Sequence, residues 1–178
     1  MKRAIVLMLS VLMLFTLAGC GAASVKTGIG VVNSIAKSKD VTADAPGLAQ
    51  VDTIMAAVTI DGSGKILNVN IDATQTKVNF DATGKITTDL TAALQTKKEL
   101  GSAYGMKKAS GLGRDWHEEI ADLEKWMVGK TADQVASMKV KEVEGKPGVP
   151  DETDLTSKVT IAVPDFLLAV DKAIKNAK

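Results

Sequence analysis

The sequence predicts an α+β fold, an antiparallel β-meander sheet with helices packed on one face. Three observations carry that reading. Residues 51–72 alternate around a glycine-rich link, the phrase D-x-x-G-K occurs at both Asp61–Lys65 and Asp81–Lys85, and after Leu90 the apolar period lengthens from two to about 3.6. Strands first and helices after place the helices on one side of a sheet.

The elements follow in chain order. Gly28 to Ile35 is the first strand, with Ile29, Val31 and Val32 apolar, and the Asp-, Ala- and Pro-containing stretch from Lys37 to Gly47 is a loop. Val51 to Ile60, the link Asp61-Gly62-Ser63-Gly64, and Lys65 to Asp72 form a hairpin. Its second arm sets Ile66, Leu67, Val69 and Ile71 against Asn68, Asn70 and Asp72. The second D-x-x-G-K copy, flanked by Val78, Phe80 and Ile86, predicts another hairpin turn, so a meander of three to five strands is expected.

The helical half begins with Thr91 to Tyr104, which Gly101 and Gly105 interrupt. Asp115 to Val128 is the clearest helix, with Trp116, Ile120, Leu123, Trp126 and Met127 at helical spacing, Asp115 and Glu118 in a capping-box pattern, and Gly129 as a stop. A shorter helix runs from Thr131 to Met138, opened by Thr131 and Gln134, and Gly145 to Pro150 is a turn-rich loop. The last helix, Val163 to Asn176, takes Pro164 in its first turn and sets Phe166, Val170, Ala173 and Ile174 on one side.

The charges are balanced and interspersed, 22 Lys and Arg against 21 Asp and Glu, which gives no basic patch for nucleic acid. Cys20 is the only cysteine, so neither a disulfide framework nor a thiolate metal site is expected. Lys2 and Arg3 precede an apolar run from Ala4 to Leu17, which is shorter than the roughly 20 residues of a membrane-spanning helix and reads as an export signal. The run ends at Leu17-Ala18-Gly19-Cys20, which resembles the lipobox of bacterial lipoproteins. That resemblance implies cleavage before Cys20, lipid on the Cys20 thiol, and attachment to the extracytoplasmic face of the cell membrane.

Residues 1–19 are then the signal peptide, residues 20–27 a lipid-anchored tether and residues 28–178 one domain. Loss of Lys2 and Arg3 takes the formal charge from +1 to −1. Gly21 follows the cysteine, with no acidic residue just after it, so either a Gram-positive outer face or a Gram-negative periplasm fits.

Catalytic sets are scarce. The single histidine, His117, lies beside Trp116, Glu118 and Glu119, and adjacent helical residues point about 100° apart, so these do not converge on a metal. His117 is expected to be a solvated or capping residue. No nucleophile elbow and no calcium-hand spacing are present, and no substrate-turning enzyme is expected. Trp116 and Trp126 are expected on one buried face, with Tyr104 free to stand at a pocket mouth.

Two further segments carry a resemblance. Ser110-Gly111-Leu112-Gly113 looks like the T-P-G-L-G turn of the FMN-binding domain family, and Asp154-Leu155-Thr156-Ser157-Lys158-Val159-Thr160 is similar in position and outline to that family's D-x-x-S-G-A-T flavinylation motif. The T-G-x-G of Thr27 to Gly30 and the G-K-I of the hairpin precede both, in the family's order. With its lipobox, the chain most resembles Gram-positive flavin lipoproteins that pass electrons outside the cell.

The resemblance implies FMN as cofactor, redox partner proteins at the membrane, and a site formed by Gly111, Gly113, Ser157, Lys158 and the acceptor Thr160. Lys158 and Val159 replace the family's Gly and Ala, which removes the open backbone that glycine gives there and adds a stiff branched side chain. Read without the resemblance, Thr160 is an N-terminal cap of the last helix and Lys158 a solvated loop lysine. A lipoprotein that keeps the fold without flavin is the alternative. A two-lobed solute-binding protein would need a longer chain.

Overall fold

The computed structural model describes residues 24–143 and 145–178. Cys20, the export signal and the first part of the tether lie outside the described residues. Lys26–Ser34 (β1), Gly47–Ile60 (β2) and Ile66–Phe80 (β3) form an antiparallel sheet in the order β1-β2-β3, and the expected α+β class holds. Lys26 and Thr27, read as tether, belong to β1, where Thr27 and Lys178 exchange two backbone hydrogen bonds of 3.3 Å.

The β2–β3 hairpin is longer than its alternating stretch suggested. It pairs Gly47 with Phe80 at one end and Ile60 with Ile66 at the other, with an irregularity at Thr59/Ile60 beside the turn. The two D-x-x-G-K turns are built alike. Asp61 Oδ1 accepts from Ser63 Oγ, Ser63 N and Lys65 N at 2.7, 2.8 and 3.0 Å, and Asp81 Oδ1 accepts from Thr83 Oγ1, Thr83 N and Lys85 N at 2.7, 2.9 and 3.0 Å. Gly64 and Gly84 take φ of 80° and 82°, where a side chain is strained.

Only the first turn leads into a strand. After the second, Ile86 forms a single bridge to Phe80, and the next residues, Thr87 to Leu90, give no apolar row to bury, with Leu90 exposed. The main sheet therefore stops at three strands. A separate hairpin, Val140–Val143 (β4) with Lys146–Pro150 (β5), stands where a loop was expected.

Among the described residues four α-helices accompany the strands: Lys97–Leu100 (α1), Trp116–Met127 (α2), Ala132–Ala136 (α3) and Pro164–Lys175 (α4). The expected Thr91–Tyr104 helix is reduced to α1 and a 3-10 turn over Gly101–Tyr104, since Gly101 and Gly105 both adopt positive φ. Glu118 of α2 returns a carboxylate to the Asp115 N–H at 2.8 Å, and in α3 Gln134 returns to the Thr131 N–H at 2.9 Å.

The core lies between one face of the sheet and the helices. Ala56, Val58, Val69 and Ile71 meet Trp116, Ile120, Leu123 and Met127 of α2 and Phe166, Ala169, Val170 and Ala173 of α4. The Trp116 and Phe166 rings tilt together at 6.1 Å. Trp126 is only half-buried at the flank, with the Lys130 ammonium 4.1 Å above its ring. Among the described residues no helix is long and apolar enough to cross a membrane.

Both sheet edges are partly covered, by side chains and by backbone. On β3, the Ile71 N–H donates to Glu124 Oε1 at 2.6 Å, and Ile66 pairs with the chain leaving α2 through Gly129 N and Lys130 O. On β1, the carbonyls of Ile29 and Val31 accept from Asn176 Nδ2 and Lys172 Nζ, both at 3.0 Å. Edges covered in this way do not template further strand pairing.

The seat of α4 on β1 depends on two small residues. A Cβ on Gly30 would lie 2.0 Å from the Ala169 carbonyl oxygen, and one on Gly28 would lie 2.1 Å from that of Ala173. Gly30→Ala should lower unfolding stability by about 2–3 kcal/mol or more, read by urea denaturation, because packed backbone must move to admit the methyl. Gly62→Ala, whose Cβ meets nothing closer than 3.7 Å, is the control and should change little.

The turns make a pH prediction. The Ser63 hydroxyl and then the Lys65 N–H hold the Asp61 carboxyl below its ordinary value, and Thr83 and Lys85 do the same for Asp81. A depressed pKa means the turn bonds are fully present at neutral pH and are lost as pH falls through the lowered folded value. In an NMR titration of the carboxyl carbons, Ser63→Ala should raise Asp61 toward the ordinary ~3.9 and leave Asp81 unmoved.

Candidate functional site

The two segments on which the family resemblance rests meet in space, and a residue from neither of them joins them. Glu119 lies three positions after Trp116 and four before Leu123, which carries it onto the apolar face of α2, and it is fully buried. Its Oε1 accepts from the Ser110 hydroxyl at 2.9 Å and the Thr160 hydroxyl at 3.0 Å, and its Oε2 accepts from the Thr160 N–H at 2.7 Å. Arg114 adds a second tie, pairing with Asp122 at 2.6 Å and donating to the Lys158 carbonyl at 3.1 Å.

Each loop is shaped locally before Glu119 clamps it. Ser110 to Gly113 is a turn closed by the Gly113 N–H on the Ser110 carbonyl at 3.0 Å, with Gly113 at φ 64°. From Glu152 onward the chain coils in tight turns, with Thr156 N on Glu152 O and both Lys158 N and Val159 N on Leu155 O, which sink Leu155 and Val159 into the core. A valine at position 159 is thus explained by packing.

The expected site residues separate into two groups. Thr160 is half-buried at the clamp, while Ser157, Lys158, Gly111 and Gly113 are exposed. A Cβ on Gly111 or Gly113 would meet nothing within 4 Å, so neither glycine forms a close cradle here; the φ of Gly113 explains that residue. Thr160 is not a helix cap either. The N-cap of α4 is Val163, without a side-chain cap bond, and Pro164 follows as the first helical residue, where no free N–H needs a partner.

Thr160 as placed does not fit an ester-linked flavin. A phosphoester on Oγ1 would remove the proton that Glu119 receives and set phosphate oxygens against carboxyl oxygens 3.0 and 3.2 Å from Oγ1, acceptor against acceptor. Lys158 instead lines a surface cavity of about 260 Å³ with Trp126, Lys125 and Lys130. That places an indole, three ammonium groups and the carboxylates of Asp122 and Asp154 around one opening, at a volume just under the usual range of small-molecule sites.

Other side chains depart from expectation. His117 is half-buried, and its Nδ1 is buried without a hydrogen-bond partner among the described residues. Among the described residues no group of three or more His, Cys, Asp or Glu converges to hold a metal. Tyr104 donates to Gln75 Oε1 at 3.2 Å and lies beneath the Lys97 ammonium at 4.7 Å. Glu119, Arg114 and Lys97 were not singled out from the sequence. For Glu119 a signal existed, its position on the apolar stripe of α2.

Removal of the clamp has a defined cost. Glu119→Ala strands the Thr160 N–H and two hydroxyls in the interior and should destabilise by about 3–5 kcal/mol, against about 1–2 kcal/mol for Thr160→Val, which loses one hydroxyl. In a double-mutant cycle by chemical denaturation the two should be strongly non-additive, because they share one network.

No family model matches the chain, and no solved structure matches it. Among curated proteins, it is 33% identical over 81 residues to a chlorophenol reductase of Desulfitobacterium hafniense, a stretch that covers 44% of this chain and 21% of that protein. The match thus spans about one fifth of the length of the curated relative.

Proposed function

We propose that this chain is a lipid-anchored lipoprotein of the extracytoplasmic membrane face, built on the outline of FMN-binding electron carriers, in which a structural clamp has taken the place of the covalent flavin. It acts as a non-catalytic binding component beside a redox partner at the membrane. The observation that carries this reading is the Glu119–Thr160 contact: the residue aligned with the flavin acceptor gives both its hydroxyl and its N–H to a buried carboxylate. The partial likeness to a protein named as a reductase supports the redox setting, and the lipobox at Cys20 supports the anchor.

A second reading keeps the flavin without the ester. Its support is the cavity of Trp126, Lys125, Lys130 and Lys158, where the indole lies beneath the Lys130 ammonium and the three ammonium groups outnumber the carboxylates of Asp122 and Asp154, a balance that favours an anion. Bound FMN would supply the electron chemistry there, and the protein would supply position and charge.

Intact mass and absorbance of the protein purified from its own host, followed by FMN titration, separate these readings. The clamp reading expects a colourless protein whose only added mass is lipid, and no saturable FMN binding. Saturable binding that Lys158→Ala weakens would establish the non-covalent carrier. Absorbance near ~450 nm with a mass excess of one FMN, lost in Thr160→Ala, would overturn both in favour of a covalent carrier. For the anchor, intact mass of the native protein should show residues 20–178 plus lipid, and Cys20→Ala should abolish the lipid mass; a native protein that carries no lipid mass would refute lipidation.

A further inference from the structure

The sheet is longer than the helix that covers it. The 14 residues of β2 extend over about 46 Å, whereas the 12 residues of α4 reach about 18 Å. Beyond the N-terminal end of α4 the core-facing side of the sheet is left as a shelf. The cross-strand row Val32, Ile54 and Ala73 lies next to Phe166, and the row beyond it, Ser34, Asp52 and Gln75, is polar. This shelf is the floor of a cavity of about 250 Å³.

Lys97, the first residue of α1, stands in the wall of that cavity. It is half-buried, and its ammonium lies 4.7 Å from the Tyr104 ring centre and 5.2 Å from that of Trp116. Among the described residues its ammonium makes no ion pair and no hydrogen bond. Its neighbour Lys98 is by contrast engaged by Asn70 and by Glu124. Two carboxylates line the same cavity: Asp52, which Lys97 helps hold in its charged form, accepts from Lys37 at 2.7 Å and from Gln50 Nε2 at 2.6 Å, and Asp165, exposed in the first turn of α4, makes neither an ion pair nor a hydrogen bond with Lys97.

Two aromatic faces attract a cation but accept no proton from it, so a directional anionic partner remains open to Lys97. An apolar row ending at an unpaired, half-desolvated ammonium is complementary to a small molecule with an apolar body and one acidic head.

We propose that this cavity is a binding site for small apolar carboxylates, with the carboxylate on Lys97 and the hydrocarbon body on Val32, Ile54, Ala73 and Phe166. Lys97 is the group that selects charge, and the sheet row and the phenyl ring select an apolar body. The site shares no residue with the Glu119 clamp or with the Lys158 cavity, so it stands or falls apart from the flavin question.

The test uses the full chain purified from its host, isotope-labelled, with benzoate as probe and benzyl alcohol as its neutral counterpart. Benzoate should give saturable amide shifts centred on Ala73, Gln75 and Phe166, and benzyl alcohol should bind at least tenfold more weakly. Lys97→Met should cost benzoate at least tenfold in affinity with an unchanged circular dichroism spectrum, and Lys97→Arg should retain most of it. Shifts that do not saturate, shifts centred elsewhere, or equal affinity for the acid and the alcohol would overturn the proposal. The last comparison needs no variant, so it decides even if Lys97→Met fails to fold.

Discussion

A carboxylate cannot sit fully inside a core without donors converging on it, and Glu119 is fully inside. That requirement organises the second half of the chain. Three donors reach it from two loops that lie on opposite sides of α2 in sequence, Ser110 before and Thr160 after. Neither loop has regular secondary structure to fix it, so the clamp and Arg114 supply the fixation that ladder hydrogen bonds supply elsewhere. Because breaking a buried network costs more than the network adds over an apolar core, the interaction specifies one arrangement of the loops more than it raises stability.

The sheet faces a related constraint. Three strands leave two open edges, and the polar groups along them must be paired or hydrated. Here β3 is closed by Glu124 and by the backbone leaving α2, and β1 by Lys172, Asn176 and the terminal Lys178. The helices therefore do two things at once: their apolar faces bury the sheet, and their polar flanks cap its edges. Gly28 and Gly30 set how near α4 comes, since the carbonyls of Ala169 and Ala173 occupy the space of the missing side chains.

Much of this was legible in the sequence where a period was long and its ends were marked. The hairpin around Asp61–Lys65, the α2 stripe with its Asp115 and Glu118 start, and α4 behind Pro164 all appear close to where they were expected. The second D-x-x-G-K turn was also real as a turn. What it lacked was an apolar row after it, and a turn without a row to bury adds only a bridge. The β4–β5 hairpin was hidden by its composition: its strands are short, largely exposed, and contain Pro147 and Pro150, which edge pairing tolerates. Its reason for being is tertiary, with Val149 buried and the Gly148 carbonyl accepting from Val163 N ahead of α4. The site was legible as two loops but not as a clamp, because Glu119 reads as one of two adjacent acids until its offset from Trp116 is counted. Lys97 is legible only in three dimensions, since the rings beneath it come from residues 7 and 19 positions away.

The short passage from Thr160 to Phe166 connects these features. Thr160 is fixed to Glu119, Val163 hangs by its N–H from Gly148, and between and after them Ala162, Asp165 and Phe166 line the cavity that holds Lys97. A chain pinned at both ends over so few residues has little freedom, so the cavity wall inherits its position from the clamp and from the β4–β5 hairpin. Displacement of Thr160, whether by substitution or by a bulky group on its hydroxyl, would shift the entry of α4 and with it the Phe166 ring that meets Trp116. The clamp residue is thus mechanically upstream of the shelf, even though the two share no side chain. In a fold whose sheet outruns its helix, the placement of the first turn of that helix decides how much of the sheet stays open.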